Sequence, residues 1–132
     1  MVALPDGVSF NEGAAAILQG CTAHYLSQST YSDKKGDSCL IHAAAGGMGL
    51  ILTQMAKNAG ATVIGTVSTQ EKAELARAAG ADEVILYCDT DFETEVMRIT
   101  DGAGVNVVYD SVGKTTFDKG IECLQRFGYM VL

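Results

Sequence analysis

The strongest constraint in this sequence is the run of small residues at positions 44–49, which reads AAGGMG. Residues 38–43, immediately before it, form a short apolar segment that predicts a β-strand, and residues 50–58 after it have the spacing of a helix. A strand, a tight glycine turn and a helix N-terminus together form the element that binds the pyrophosphate of a dinucleotide. The first hypothesis is therefore that this turn holds a phosphate.

The turn fits the dinucleotide pattern G-x-G-x-x-G, with Ala44 in the first position. Gly46 is predicted to let the backbone approach the pyrophosphate, and Gly49 to let the following helix, which would begin near Met48, pack closely on the strand. Gly47 is predicted to allow a positive φ. Because a flexible turn can also be rich in Ala and Gly, the motif alone is weak evidence. The flanking strand and helix favour phosphate binding.

Short apolar segments alternate with helical spacing along the rest of the chain. Further strands are predicted at 61–67, 83–87, 105–109 and 129–132, and further helices at 11–29, 69–78, 91–99 and 115–124, the first with Asn11 as its N-cap. This alternation indicates βαβ units and predicts an α/β fold, a Rossmann doubly wound parallel sheet with helices on both faces. Residues 1–36 are predicted to be a helical lead-in and residues 37–132 the Rossmann domain, in one domain overall.

The charge of the chain limits its partners. Nine basic residues against sixteen acidic ones give a net charge of −7. Such a chain has no overall attraction to nucleic acid or to anionic membranes, so neither is predicted as a partner. A phosphate must then be held locally, by backbone N–H groups and one or two cations.

The sequence also bears on location and on metals. No apolar run reaches the roughly 18 residues of a membrane-spanning helix, and residues 1–6 lack the features of a signal peptide. The four cysteines, Cys21, Cys39, Cys88 and Cys123, are scattered without a C-x-x-C pair. Neither a disulfide framework nor a metal site is predicted. Free thiols, a reducing compartment and a cytoplasmic location are expected instead.

The end of the second predicted strand, GTVST at 65–69, carries no carboxylate. Sites for NADH usually place Asp or Glu there to bind the ribose, and the absence of an acid leaves room for the 2′-phosphate of NADPH. Ser68 could donate a hydrogen bond to it, Lys72 could supply charge, and Tyr87 could lie alongside. Alternatively, Ser68 is a helix N-cap and Lys72 a solvated residue beside Glu71. The missing acid favours NADPH.

The glycine turn at 44–49 and the strand end at 65–69 with Lys72 resemble the matching segments of a known family. This family is the NADPH:quinone oxidoreductases, the zinc-free, zeta-crystallin-like branch of the medium-chain dehydrogenase/reductase superfamily. The similarity extends over essentially the whole chain. It is carried by GCTA at 20–23, HAAAGGMG at 42–49, GTVS at 65–68 with Lys72, VVYDSVG at 107–113 and CLQR at 123–126.

The resemblance implies NADPH as the cofactor and a quinone or an α,β-unsaturated carbonyl as the hydride acceptor. It also implies a set of cofactor contacts. These are Gly46, Gly47, Met48 and Gly49 on the pyrophosphate, Ser68, Lys72 and Tyr87 on the 2′-phosphate, Thr22 and Tyr25 towards the nicotinamide, and Ser111 near the cofactor across the sheet.

The resemblance further implies a longer protein. Full-length relatives are about two to three times longer and add a catalytic domain. Because this chain ends inside an apolar segment at Leu132, we predict a cofactor-binding fragment with negligible turnover by itself. Relatives commonly form homodimers through the sheet edge, so residues 128–132 are the candidate dimer edge.

Two positions depart from the relatives. Zinc alcohol dehydrogenases have a metal-binding Cys four residues before the position of Thr22, where this chain has Leu18, so Cys21 is not predicted to be that ligand. His24 stands where close relatives often have an aromatic residue, and a structural role is predicted for it and for His42. No residue is assigned as catalytic. An enoyl reductase module of the same superfamily and a non-catalytic nucleotide-binding module are the alternatives.

Overall fold

The computed structural model describes residues 3–132. Met1 and Val2, which belong to the stretch predicted to lack signal-peptide features, lie outside the described residues. The strands are β1 (Ser38–Ile41), β2 (Thr62–Val67), β3 (Glu83–Leu86), β4 (Val105–Tyr109) and β5 (Leu124–Val131). The helices are α1 (Phe10–Tyr25), α2 (Gly47–Ala59), α3 (Gln70–Ala78), α4 (Phe92–Ile99) and α5 (Phe117–Glu122). A π-helical segment, Leu26–Thr30, continues α1.

The five strands form one parallel sheet with the order β3-β2-β1-β4-β5. The chain begins at the centre with β1, moves outward through β2 and β3, and then crosses to β4 on the other side of β1. Because parallel crossovers are right-handed, this reversal puts α2 and α3 on one face and α4 and α5 on the other. The predicted Rossmann doubly wound sheet is confirmed.

Each face of the sheet has its own buried core. On the first face, the alanines of α1, α2 and α3 lie against apolar side chains of β1, β2 and β4. On the second face, Phe92 and Val96 of α4 pack with Leu40, Ile64 and Val108 of the sheet. Small helical residues let α1–α3 approach the strands closely, whereas the second face is filled by larger side chains.

The first helix begins earlier than predicted. Ser9, and not Asn11, is its N-cap, and the Ser9 side chain accepts a hydrogen bond from the backbone of Glu12. The Glu12 carboxylate in turn accepts from the Ser9 backbone N–H at 2.8 Å. This reciprocal capping box satisfies the backbone N–H groups of Ser9 and Glu12. The helix therefore starts at Phe10, one residue before Asn11.

Glycines end two of the helices as the sequence predicted. Gly60 takes a φ of 89° after α2, and Gly80 a φ of 110° after α3. This left-handed conformation is inexpensive only for glycine, so the chain can turn from each helix into the next strand. The bounds predicted for β2, β3, β4, α3 and α4 agree with the structure to within one residue at each end.

The last strand is the least accurately predicted element. The helix predicted at 115–124 is only Phe117–Glu122, and β5 begins at Leu124, well before residue 129. Leu124 pairs with Val105, but Tyr129 pairs with Val107, so the intervening residues form an irregularity in the ladder. Phe127 has a φ of 65° within it. The bulge interrupts the alternation of inward and outward side chains along β5. The sequence pattern therefore predicts a strand only at its final residues.

The sheet has two edge strands, β3 and β5. The predicted dimer edge, residues 128–132, therefore overlaps a strand at an edge of the sheet, while the dimer itself stays a prediction. Within residues 3–132, none of the helices combines the length and the apolar content that a membrane crossing requires.

Candidate functional site

The glycine turn joins β1 to α2 at the carboxyl end of the sheet. β1 ends at Ile41, two residues earlier than predicted, because Ala43 adopts a positive φ of 53°. The turn then closes through a hydrogen bond from the Gly46 N–H to the Ala43 carbonyl at 2.8 Å. The prediction that Gly47 provides a positive φ was wrong. An alanine takes the left-handed conformation, and the three glycines of the turn do not.

Gly49 is needed because a side chain has no room at that position. A Cβ on Gly49 would lie 2.5 Å from the Ala43 carbonyl oxygen and 2.8 Å from that of Ala44, so α2 packs directly on the backbone that leaves β1. A Cβ on Gly46 would lie 3.1 Å from the Ala43 carbonyl oxygen. At Gly47 the space is taken by the side chain of Gln19, a residue of α1 that the motif analysis did not single out.

The N-terminus of α2 presents unpaired donors. Its N-cap is Gly46, which is extended (φ −74°, ψ 166°) and offers no capping side chain. The helix begins at Gly47, one residue before the start predicted near Met48. Among residues 3–132, the backbone N–H groups of Gly47, Met48 and Gly49 have no hydrogen-bond partner, whereas that of Leu50 bonds to the Gly46 carbonyl. Together with the helix dipole, these three donors suit an anion.

Ser68 and Lys72 come together after β2, and the backbone of Tyr87 is joined to the end of the same strand. The Lys72 ammonium donates to the Ser68 hydroxyl at 3.1 Å, and the Tyr87 N–H bonds to the carbonyl of Val67 at 3.2 Å. Thr69 caps α3 by accepting a hydrogen bond from the Lys72 N–H, so the alternative in which Ser68 is the N-cap was wrong. The end of β2 therefore carries a cation paired with a hydroxyl group and no carboxylate, while the nearby carboxylate of Glu71, in the first turn of α3, bonds to Thr69.

A cavity of about 530 Å³ opens next to these residues on the face that carries α4 and α5. It lies between the ends of β2 and β3 and the loop that follows β4. Part of its wall is apolar, and its rim is polar. The residues that line the cavity include His42, Thr66, Tyr87, Phe92, Val112 and Thr116. The exposed thiol of Cys88 also lines the cavity, and the sequence did not indicate this position.

His42 lies at the base of the cavity and is buried. Its Nδ1 is 2.9 Å from the Thr66 hydroxyl, and its ring packs edge-on against Phe92 with 4.9 Å between centroids. Burial lowers the pKa of His42, although the nearby Asp110 carboxylate acts in the opposite direction. The imidazole is therefore neutral at pH 7, and its structural role stays a prediction.

The loop after β4 is held by a carboxylate that the sequence analysis did not identify as important. Asp110 accepts hydrogen bonds from the N–H groups of Val112 and Gly113, at 2.7 and 2.9 Å, and from the Thr116 hydroxyl at 2.8 Å. Burial alone would raise the pKa of Asp110, but these bonds hold it below its ordinary value. Ser111, in the same loop, is exposed. An Asp followed by small polar residues is the only local signal of this loop.

The residues predicted near the nicotinamide lie on α1. The Thr22 hydroxyl donates to the Leu18 carbonyl within the helix at 2.8 Å, and the Tyr25 ring is half-exposed. α1 packs against α2, which brings this helix to the glycine turn through Gln19. The four cysteines are free; Cys39 and Cys123 are buried, and Cys21 and Cys88 are exposed.

The turn, the donors and the cavity define a Rossmann-type domain with a dinucleotide-type site at the carboxyl end of its sheet. A sequence profile of the zinc-binding dehydrogenases matches residues 47–132. The chain therefore belongs to the zinc-binding dehydrogenase family.

Individual relatives agree with this family. Quinone oxidoreductase 1 of Escherichia coli K12 is 49% identical over 128 residues, 97% of this chain and 39% of its own length. The 2-haloacrylate reductase of a Burkholderia species is 54% identical over 115 residues, 87% of this chain and 34% of its own length. The chain thus spans about two fifths of the relatives it matches, and the resemblance to quinone oxidoreductases is confirmed.

A solved structure shows the same fold. The crystal structure of Escherichia coli quinone oxidoreductase complexed with NADPH superposes with a TM-score of 0.94 at 48% identity, covering 98% of this chain and 40% of that protein. At this similarity the elements described above correspond over nearly the whole chain.

Proposed function

We propose that this chain is the NADPH-binding part of an oxidoreductase that transfers a hydride from NADPH to a quinone or an α,β-unsaturated carbonyl. The observation that carries the proposal is the combination of three unpaired N–H groups at the N-terminus of α2 with the hydrogen-bonded pair of Ser68 and Lys72 after β2, a strand that itself ends without a carboxylate. The similarity to a quinone oxidoreductase complexed with NADPH supports it.

The described residues fit NADPH in two places. Gly46, Gly47, Met48 and Gly49 would hold the pyrophosphate through backbone N–H groups and close approach, because the glycines carry no side chain and the N–H groups of residues 47–49 have no partner among residues 3–132. At the end of β2, Ser68, Lys72 and Tyr87 would hold the 2′-phosphate, with Lys72 already hydrogen-bonded to Ser68. The half-apolar cavity beside Tyr87 suits the adenine.

Other parts of the chain would face the reacting end of the cofactor. Thr22 and Tyr25 on α1 would lie towards the nicotinamide, and Ser111 near the cofactor across the sheet. NADPH supplies the hydride when it is bound. The residues of this chain would orient it and exclude water, and the acceptor would bind between this domain and the remainder of the longer protein.

Further parts of the proposal concern the whole protein. We propose residues 1–36 as a lead-in to the Rossmann domain at 37–132, a cytoplasmic protein without a nucleic-acid partner, and a homodimer formed through the β5 edge. Leu18, in the position of a zinc-ligand Cys, supports a zinc-independent reaction although the family is named for zinc.

The first test is the choice between NADPH and NADH. We expect the chain to bind NADPH about tenfold or more tightly than NADH in calorimetric titrations, because the 2′-phosphate gains charge-assisted hydrogen bonds. Lys72→Ala should remove most of this preference. Arg77→Ala, which deletes the same charge elsewhere on the exposed surface of α3, should leave it unchanged. Equal affinity of the unaltered chain for both cofactors would overturn the assignment.

The enoyl reductase alternative is favoured by one observation, the 54% identity to a 2-haloacrylate reductase. The two activities differ in acceptor and share the cofactor site. Turnover of the longer protein with NADPH and either a quinone or a 2-haloacrylate distinguishes them. Cofactor binding without turnover on either acceptor would favour the non-catalytic nucleotide-binding alternative.

A further inference from the structure

The side chain of Gln19 lies directly against the phosphate-binding turn. A Cβ on Gly47 would collide with Oε1 of Gln19 and would lie 2.6 Å from its Nε2 and 2.7 Å from its Cδ. The carboxamide of Gln19 therefore occupies the volume that a side chain at position 47 would take. The Gly47 φ is not in the left-handed region, so the absence of a side chain at position 47 matters here because it gives the Gln19 carboxamide access to the turn.

The hydrogen-bonding capacity of this carboxamide is unused. Among the described residues Gln19 has no hydrogen-bond partner, although it lies on an ordered helix beside three unpaired N–H groups. A primary amide offers two N–H donors and one carbonyl acceptor without carrying charge. A carboxylate in this place would repel a phosphate, whereas an amide can donate to one without adding to the net charge of −7.

We propose that Gln19 is a cofactor-binding residue whose carboxamide N–H donates a hydrogen bond to the pyrophosphate at the N-terminus of α2. This inference rests on the proposed function, because it assigns a side chain to the same NADPH site. The three backbone donors of residues 47–49 come from within the βαβ unit. Gln19 adds a donor from α1, the helix that also carries Thr22 one turn further on.

The experiment compares two ligands that share only part of the site. NADPH contains the pyrophosphate. Adenosine 2′-phosphate contains the adenine, the ribose and the 2′-phosphate, but it lacks the pyrophosphate. We expect Gln19→Ala to weaken NADPH binding about tenfold, since it removes a hydrogen bond to a charged group. Gln19→Glu should weaken it about thirtyfold or more, because a carboxylate is added beside the phosphates. Neither substitution should change the Kd of adenosine 2′-phosphate.

Matched controls separate this role from a structural one. Gln28→Glu makes the same change of charge at an exposed position beyond α1 and should leave the Kd of both ligands unchanged. Since Gln19 is exposed, its variants should unfold at the wild-type temperature.

The possible outcomes distinguish this inference from the proposed function. Unchanged NADPH affinity in both Gln19 variants, with normal binding by the unaltered chain, overturns the role of Gln19 alone. Equal weakening of NADPH and adenosine 2′-phosphate also overturns it, because a direct contact to the pyrophosphate cannot affect the smaller ligand. If the unaltered chain binds neither ligand, the proposed function fails and this inference fails with it.

Discussion

Hydrogen-bonding groups without partners occur in several places among residues 3–132, and two of these places differ in solvent access. At the N-terminus of α2, three backbone N–H groups are unpaired beside the exposed residues Gly46 and Gly47. In the loop before β1, Oδ1 of Asp33 is unpaired and buried. The other oxygen of Asp33 accepts a hydrogen bond from Tyr109 at 3.0 Å.

The difference concerns what an unpaired polar group costs. Water can satisfy the donors of α2 until an anion replaces it, so they are available for binding at little cost to folding. The buried carboxylate oxygen of Asp33 has lost its hydration without a full replacement, and it lowers the stability of the folded chain. The donors of α2 can therefore serve a ligand at little cost, whereas the buried oxygen of Asp33 lowers the free energy of unfolding.

The largest expected effect comes from closing the space at Gly49. Gly49→Ala would place a Cβ 2.5 Å from the Ala43 carbonyl oxygen, and a backbone atom must move to relieve it. We expect a loss of about 2–4 kcal/mol in the free energy of unfolding, together with weaker NADPH binding as the donors of α2 shift. Urea unfolding measures the first effect and calorimetry the second.

Gly20→Ala is the control for this substitution. A Cβ on Gly20 would meet nothing within 4 Å, and Gly20 lies inside α1. This change should stabilise the chain by about 0.5–1 kcal/mol, because alanine favours the helix. If both alanine variants behaved alike, close packing at Gly49 would not be the reason for a glycine there.

A carboxylate at the end of β2 tests the charge at the proposed 2′-phosphate site. Ser68→Asp should weaken NADPH binding about thirty- to hundredfold and leave NADH binding equal or tighter, because the acid repels the phosphate and can accept from ribose hydroxyls. Lys72 can pair with the new acid one turn away, so folding should be maintained. Parallel titrations with the two cofactors provide the measurement. An equal loss for both would mean that Ser68 does not face the 2′-phosphate.

Local sequence patterns predicted most of the fold. The apolar, β-branched run 105–109 specifies a buried strand, and Gly60 and Gly80 mark helix ends through a conformation that other residues avoid. The glycine turn was located correctly because its chemistry is local. β5 was shortened because a bulge with Phe127 at positive φ breaks the periodicity.

The parts that sequence did not predict depend on contacts between distant residues. Tyr109 and Asp33 are 76 positions apart, and neither local pattern identifies the other. Gln19 meets Gly47 only because α1 packs across α2. The cavity likewise needs the ends of three strands to be placed side by side. Periodicity and motifs define elements, but the packing that brings elements together determines these contacts.

The buried carboxylate of Asp33 predicts a pH-dependent stability. Burial raises the pKa of Asp33 from 3.8 to about 6, with the Tyr109 hydrogen bond acting against this and the charge of Asp37 adding to it. Because the folded-state pKa is above the unfolded one, the contribution of Asp33 to stability is complete below pH 3.8 and is lost as the pH rises through about 6. At pH 8 the cost is at most about 3 kcal/mol.

Asp33→Asn should recover part of that cost. The amide oxygen can still accept from Tyr109, but no charge remains to be buried. We expect a gain of about 1–2 kcal/mol at pH 8 and little change at pH 4, measured by urea unfolding. Asp6→Asn, at an exposed position, makes the same change of charge and should have no comparable effect. A destabilised Asp33→Asn variant at pH 8 would contradict a buried, uncompensated charge.

The smallest expected effect concerns Ala43, whose positive φ strains the backbone of the exposed glycine turn. An alanine with a φ of 53° is held in a conformation that favours glycine, so Ala43→Gly should relieve strain while increasing the freedom of the unfolded chain. These opposing terms leave an expected gain of about 0.5 kcal/mol. Ala45→Gly, in the same turn but without a positive φ, has no strain to relieve and should lose about 0.5–1 kcal/mol. The two glycine variants should therefore move the unfolding midpoint in opposite directions, with little change in NADPH affinity. If they move it together, the turn does not store strain at Ala43.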